Sequence, residues 1–312
     1  MISLDFIVGE IDRLTEDVAE LDRDFVKEFP FEEYLAYLRD VKSYLGIARH
    51  PHVGRRRKKW FKSLVSSRDP SVLCRVNKLV FAFLIRESVT RLPRWNLPCD
   101  VSDLYRQWFD RVMKDLRELP DDSFRLESEE FIVDVGVCCL RSIPVGGAWV
   151  VQRSRVGLGP FVGGGPWQFF RYLSYMLGEA GGYSPYWVIH TATRYLPLFR
   201  PEEMDRAYMR IAELLKWDQA TKGIYRGGWL LDPKLEEISP NLAFLRTVPQ
   251  KNGARLFRSR TVQADIDWAL SRSSIRRRLY KEGAYRPSAH AYIWPREAVL
   301  AWADRRKRDD GP

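Results

Sequence analysis

The chain has 312 residues, with 51 lysines and arginines against 41 aspartates and glutamates, a formal net charge of +10. Hydrophobic residues make up 45% and charged residues 29%, the balance of a folded globular protein, which excludes disorder, a collagen-like repeat and a disulfide-built scaffold. The unusual feature is 11 tryptophans beside 14 tyrosines and 16 phenylalanines; with a basic balance they first suggest a nucleic-acid surface, where cations hold phosphate and rings stack on bases.

The cysteines Cys74, Cys99, Cys138 and Cys139 lack any CxxC or Cys/His zinc spacing, so they read as free thiols of a reducing compartment. The opening MISLDFIVGEIDRL is acidic and amphipathic, unlike a signal or transit peptide, and the longest apolar run, Leu79–Ile85, is too short to span a bilayer. These features predict a soluble cytoplasmic protein with no membrane partner and no bound metal.

Residues 1–120 read as helices. Leu4, Ile7, Ile11, Leu14, Val18, Leu21 and Phe25 recur at spacings of three and four, a seam that serves either a helical hairpin or a homodimer formed through residues 4–25. Pro30 ends that helix; Phe31–Ile47, Ser71–Leu92 and Ser102–Leu119 give three more, the last with Ser102 as N-cap. The pattern changes at Asp121–Asp122. Phe131–Leu140 (FIVDVGVCCL) and Ala148–Val156 (AWVVQRSRV) read as strands joined through Pro144–Gly147. After the Gly-rich stretch Gly157–Gly165 come a helix over Trp167–Glu179, a strand over Tyr186–Tyr195, a helix from Pro201 and a strand over Gly223–Leu231. A short strand at Ala254–Arg258, a helix over Gln263–Tyr280, a strand over Ala289–Trp294 and a helix over Arg296–Arg305 complete the order. The expected architecture is α+β or mixed α/β: a helical region over 1–120 and a mixed-sheet domain over 121–312.

The charge is unevenly spread. Residues 1–40 hold twelve acids and four bases, whereas residues 253–308 hold fourteen bases and five acids. Between them, Arg49–Lys62 carries seven bases and no acid. Arg55, Arg56, Arg57, Lys58, Lys59 and Trp60 in that cluster, and Arg276, Arg277 and Arg278 in the basic region 272–286, are the candidate phosphate or acidic-partner contacts. No helix-turn-helix, RNA-recognition or zinc-finger signature accompanies them, so a DNA- or tRNA-binding role rests on charge alone.

The Gly157–Gly165 stretch has the composition of a turn whose backbone N–H groups face one anion, with a helix N-terminus behind it. Gln152, Arg153 and Arg155 precede it and Trp167 follows, suited to a nucleotide or pantetheine-bearing ligand. It is neither a Walker A motif nor a GxGxxG fingerprint. On Tyr186–Tyr195, period-two alternation sets His190 and Arg194 on one face, a general base beside an anion clamp. Asp232 stands at the tip of the next strand, as an acid of a site or as a turn cap before Pro233. Metal-ligand spacings, a G-x-S-x-G elbow and a buried carboxylate pair are missing from the sequence.

The order hairpin strand, Gln152-Arg153-Ser154-Arg155-Val156-Gly157-Leu158-Gly159, helix, strand, helix, strand resembles the core of the GNAT acyltransferase superfamily over about 131–232. In that family a Gln/Arg-x-x-Gly-x-Gly/Ala loop binds the pyrophosphate of acyl-CoA. Gly157 and Gly159 match, Ser154 stands where Gln or Arg is expected, and Arg153 and Arg155 flank it.

The resemblance implies transfer of an acyl group from a CoA or carrier-protein thioester to a small-molecule amine. Gly157, Gly159, Gly163, Gly164, Gly165, Arg153, Arg155 and Trp167 would then hold the donor, His190 would deprotonate the amine, and Arg194 would orient an acidic group. The basic surface would suit an acidic carrier protein or tRNA. The competing expectations are a nucleic-acid-binding protein and a non-catalytic protein that self-associates through Leu4–Phe25.

Overall fold

The computed structural model describes residues 3–21, 29–40, 70–126 and 128–309. They form an α+β protein whose chain divides into two compact units, Met1–Pro144 with Ala192–Arg194, and Val145–Thr191 with Tyr195–Pro312.

The first unit is helical. Helix α1 (Leu4–Leu21) buries Ile7, Ile11, Leu14 and Val18, and it packs on α3 (Pro70–Arg91). Of the two uses expected of the seam, its buried residues serve packing within the chain; Leu4 and Phe6 are exposed beside it, and Phe25 lies outside the described residues. Helix α2 (Phe31–Asp40) is the described part of the second predicted helix. Its buried Tyr34 donates to Asn77 Oδ1 at 2.6 Å, and Asn77 Nδ2 donates to the Phe124 carbonyl at 2.7 Å, so the amide buried in α3 is satisfied. Helix α4 (Cys99–Glu118) presents Val101, Tyr105, Trp108, Phe109, Val112 and Leu116 to the interior.

Phe131–Leu140, read as a strand, is instead part of helix α5 (Glu129–Cys138). Apolar residues at both parities fit a buried strand, but they fit a helix covered all round equally well. Ser128 Oγ accepts from the Phe131 N–H at the amino end. The decisive anchor is Asp134, which accepts from Trp108 Nε1 at 2.8 Å and bonds Arg111, both on α4. The first unit runs to Pro144.

The strands form a six-stranded sheet of order β1-β2-β3-β4-β6-β5, with β2 to β6 in the second unit. They are β1 (Ser142–Gly146), β2 (Trp149–Ser154), β3 (Tyr186–Thr191), β4 (Gly223–Gly228), β5 (Arg255–Arg258) and β6 (His290–Pro295). Strands β2 and β3 are antiparallel, as are β4 with β6 and β5 with β6; only β3 and β4 run parallel, joined through α8 (Pro201–Trp217). Between β2 and β3 the chain inserts α6 (Gly159–Gly163) and α7 (Gly165–Gly178).

Strand alternation gives the sheet two different faces. On one, Tyr186, Val188, Tyr225, Phe257 and Ile293 pack with Tyr172, Tyr175 and Met176 of α7. The other carries the bulkiest side chains. Tyr208 of α8 lies 4.9 Å from Trp149 and 5.3 Å from Trp294 between ring centroids, and Trp294 meets Trp302 of the last helix, α12 (Arg296–Asp309), after α9 (Phe244–Lys251), α10 (Gln263–Ser271) and α11 (Ser274–Lys281). Part of the tryptophan excess is therefore core.

Helix α6 lies so close to the end of β5 that a Cβ on Gly163 would stand 2.4 Å from the Ser259 carbonyl carbon and 2.5 Å from the Arg258 carbonyl oxygen. Backbone cannot yield as a side chain can, so Gly163→Ala is expected to cost about 1–3 kcal/mol and lower the midpoint of thermal unfolding.

Candidate active site at the fork of the parallel strands

The parallel ladder between β3 and β4 covers Trp187–Ile224 and Val188–Tyr225 and stops there. Each strand runs on for three residues, Ile189–Thr191 and Arg226–Gly228, so the carboxyl ends of the pair open into a fork. Parallel strands joined by a helix place their ligand sites outside these ends.

Arg226 stands at the base of the fork. Its Nη2 donates to Thr191 Oγ1 across the opening at 3.2 Å. The guanidinium stacks over Trp149 at 4.5 Å and lies 5.9 Å from the Phe199 ring. Tyr208 and Tyr292, hydrogen-bonded to each other at 3.0 Å, complete its surroundings. Arg226 is 3% exposed, pairs with no carboxylate among the described residues, and leaves Nη1 buried without a hydrogen-bond partner. Burial pulls its pKa below the usual guanidinium value, against the opposite pull of Tyr292 and Tyr208. A buried cation facing only hydroxyls and rings lacks the counter-ion that ordinarily offsets its desolvation.

His190 lies on the opposite face of β3 from Thr191, beside Val150 in the register of β2. Burial, with the positive charge of Arg226 adding to it, pushes its pKa down to about 3. The imidazole is therefore neutral at physiological pH, and burial rather than the Arg226 charge is the larger reason.

The other expected site residues have different occupations. Strand β3 ends at Thr191, so Arg194 shares no strand face with His190. Its guanidinium bonds Asp115 and, at 3.3 Å, Glu130, and with Asp122 and Arg125 it lines an open cavity of about 680 Å³ in the helical unit. Asp232 is buried and fully used as a turn anchor. It accepts from Tyr285 Oη at 3.2 Å and from the backbone N–H groups of Ser288 at 2.9 Å and Lys234 at 3.1 Å. The Gly-rich stretch leads into a helix pair between antiparallel strands, whereas the strand–helix crossover to a parallel strand begins after β3. Its glycines serve packing: Gly157 lies under the Tyr225 hydroxyl, Gly159 and Gly163 meet Ser259, and Gly164 abuts Gln168. Gly165 opens α7 at φ +76°. Gln168 staples the segment to β5, donating to the Arg258 carbonyl at 2.7 Å and accepting from its N–H at 2.9 Å. Arg153 pairs with Asp218 at 2.8 Å, while Arg155 and Trp167 are exposed.

The late basic run is also dismantled. Arg276 is buried, with Nη1 donating to Ser239 Oγ at 2.9 Å. Arg277 bonds the Leu270 and Ser271 carbonyls at the end of α10, and Arg278 pairs with Glu282 at 3.7 Å. Arg55, Arg56, Arg57, Lys58, Lys59 and Trp60 lie outside the described residues. Among the described residues there is no group of three or more metal-ligating side chains, and no helix is long and apolar enough to cross a membrane.

No family model matches the chain, and no curated protein matches it. Among solved structures, it is similar to an acyltransferase crystallised in complex with decanoyl-CoA and teicoplanin. The two are 14% identical, the TM-score is 0.51, and the match covers 92% of this chain and 85% of that one. At that identity the likeness is one of fold.

Two outcomes test the electrostatics. Because Arg226 is buried without a counter-ion, Arg226→Met is expected to raise thermal stability, on the order of 1–4 kcal/mol, read as a higher unfolding midpoint. The unfolded chain protonates His190 near its ordinary value of about 6.5, whereas the folded chain holds it neutral down to about 3. Its contribution therefore makes stability fall as pH drops through that window. Urea midpoints measured against pH should show a shallower acid-side slope in His190→Gln.

Proposed function

We propose that the chain is an acyltransferase that moves an acyl group from a CoA thioester to an amine, with the fork between β3 and β4 as its reaction site. The observation that carries this reading is the uncompensated guanidinium of Arg226 at the carboxyl ends of the parallel pair. It supports a resident that brings the missing negative charge. The fold likeness to an acyltransferase narrows the chemistry.

In this mechanism the acceptor amine attacks the thioester carbonyl; the C–N bond forms as the C–S bond breaks. The amine proton passes to His190, directly or through water, and from there to the departing thiolate. Arg226 meets the oxyanion brought into the fork, which relieves the smaller of the two causes that lower the His190 pKa. The neutral imidazole of the free protein is the correct starting state for accepting a proton.

Calorimetric titration with acyl-CoA species from acetyl to decanoyl is expected to show saturable binding to the wild type. Loss of one charge-assisted contact in Arg226→Met should weaken that binding on the order of tenfold or more. His190→Gln should bind the donor normally yet acylate a panel of amines more slowly, on the order of a hundredfold, by mass spectrometry. Absence of binding by every acyl-CoA, with carrier-bound thioesters equally inert, would overturn the reading.

A further inference from the structure

The helices inserted between β2 and β3 carry the most exposed large apolar side chains of the second unit. Leu158 is 75% exposed, Val162 68%, Trp167 75%, Phe170 62% and Leu177 66%. On α7, Trp167, Phe170, Ser174 and Leu177 follow at spacings of three and four along one face, with Arg171 beside them. The opposite face, with Tyr172, Tyr175 and Met176, is spent on the sheet. The outer face is therefore not needed to hold α7 in place, and an apolar surface of this kind marks an interaction site.

Its charge environment selects the partner. From Arg153 to Gly178 the chain contains no acidic residue and three arginines. Arg155 and Arg171 are exposed on the segment itself. Arg258 and Arg260, also exposed, flank it, because the Arg258 backbone bonds Gln168 and the Arg260 N–H donates to the Gly159 carbonyl at 3.2 Å. The next acid, Glu179, is paired with Arg255 at 2.6 Å.

We infer that α6 and α7 form a platform that docks on an anionic lipid surface, with Trp167 and Phe170 entering the headgroup–acyl boundary and the arginines meeting the lipid phosphates. The apolar side chains are 62–75% exposed. A groove takes up a partner's helix, whereas exposed aromatic and aliphatic side chains ringed by cations suit a bilayer interface. A second copy of this platform would bring the same arginines against one another. The sequence expectation of no membrane partner rested on the lack of a spanning segment, which an interfacial helix does not require. This inference is independent of the acyl-transfer reading.

Co-sedimentation of the full chain with extruded vesicles tests it. Binding is expected to vesicles of phosphatidylcholine mixed with phosphatidylglycerol, and much less to phosphatidylcholine alone. Trp167→Ser combined with Phe170→Ser alters only exposed positions, which circular dichroism should confirm, and is expected to weaken binding by about tenfold or more. Arg155→Gln with Arg171→Gln should weaken it by about fivefold per arginine at low salt. Wild-type protein that remains in the supernatant with both vesicle types overturns the proposal. Vesicle binding unchanged by the Trp167 and Phe170 substitutions also overturns it, since charge elsewhere in the chain then suffices. A dimer in lipid-free solution that the same substitutions convert to monomer reassigns the face to a contact between copies.

Discussion

The short parallel contact between β3 and β4 governs the second unit. Trp187 and Val188 pair with Ile224 and Tyr225, and beyond that point the strands part. On their outer sides β2 stays in antiparallel register with β3 from Trp149–Thr191 to Ser154–Tyr186, and β6 does the same with β4 from Gly223–Pro295 to Gly228–His290. Each arm of the fork is thus braced by a full ladder while the space between the arms is not. That arrangement lets the backbone open at the carboxyl ends without loss of the sheet. Arg226 reaches Thr191 across this opening, Nη2 to Oγ1 at 3.2 Å.

The aromatic layer beneath Arg226 follows from the same geometry. Trp149, Tyr208, Trp294 and Trp302 stack edge to face across β2, β6 and two helices, at centroid separations between 4.9 and 5.8 Å. A guanidinium spread over a ring face replaces part of its lost hydration by cation–π attraction, worth about 2 kcal/mol when desolvated, which falls short of a full counter-ion. Rings alone can therefore hold Arg226 in the interior but cannot satisfy it. The proposed acceptance of an anion at the fork rests on that unmet remainder.

Much of the architecture was legible in the sequence because its periodicities are strong. Pro201 opens α8 and Trp217 closes it, with Met204, Ala207, Tyr208, Ile211 and Leu215 buried as the spacing predicts. The strands over 149–154 and 186–191 fall inside their predicted runs. FIVDVGVC misled because a helix buried against two neighbours and a buried strand present the same composition, and only Asp134 in its middle, bonded to Trp108 and Arg111, hinted at a helix. Site residues were harder. Glycines attract attention for what their backbone can bind, yet Gly159 and Gly163 are small so that α6 can approach Ser259. Arg226 escaped notice in GIYRGGWLL because one arginine in a strand reads as an edge position; its signal was the pair of glycines directly after it, which leaves the strand end unobstructed.

Net charge was the least transferable sequence feature, since the fold uses many arginines as hydrogen-bond donors to its own backbone. Arg141 donates to the Leu38 and Arg39 carbonyls, Arg210 to Val145, Arg277 to Leu270 and Ser271, and Arg296 to Asp218 and Thr221. An arginine bonded to carbonyl groups keeps its charge, but one end of its guanidinium is held by its own backbone. The arginines that retain free reach in the second unit include Arg155 and Arg171, which stand beside exposed aromatic and aliphatic side chains rather than in a run of like charges. The partner that a basic, tryptophan-rich chain selects is decided by which cations the fold leaves uncommitted, and here those cations border apolar surface. The coupling of charge to exposed hydrophobes, not the excess of charge, is the recognisable feature of this molecule's exterior.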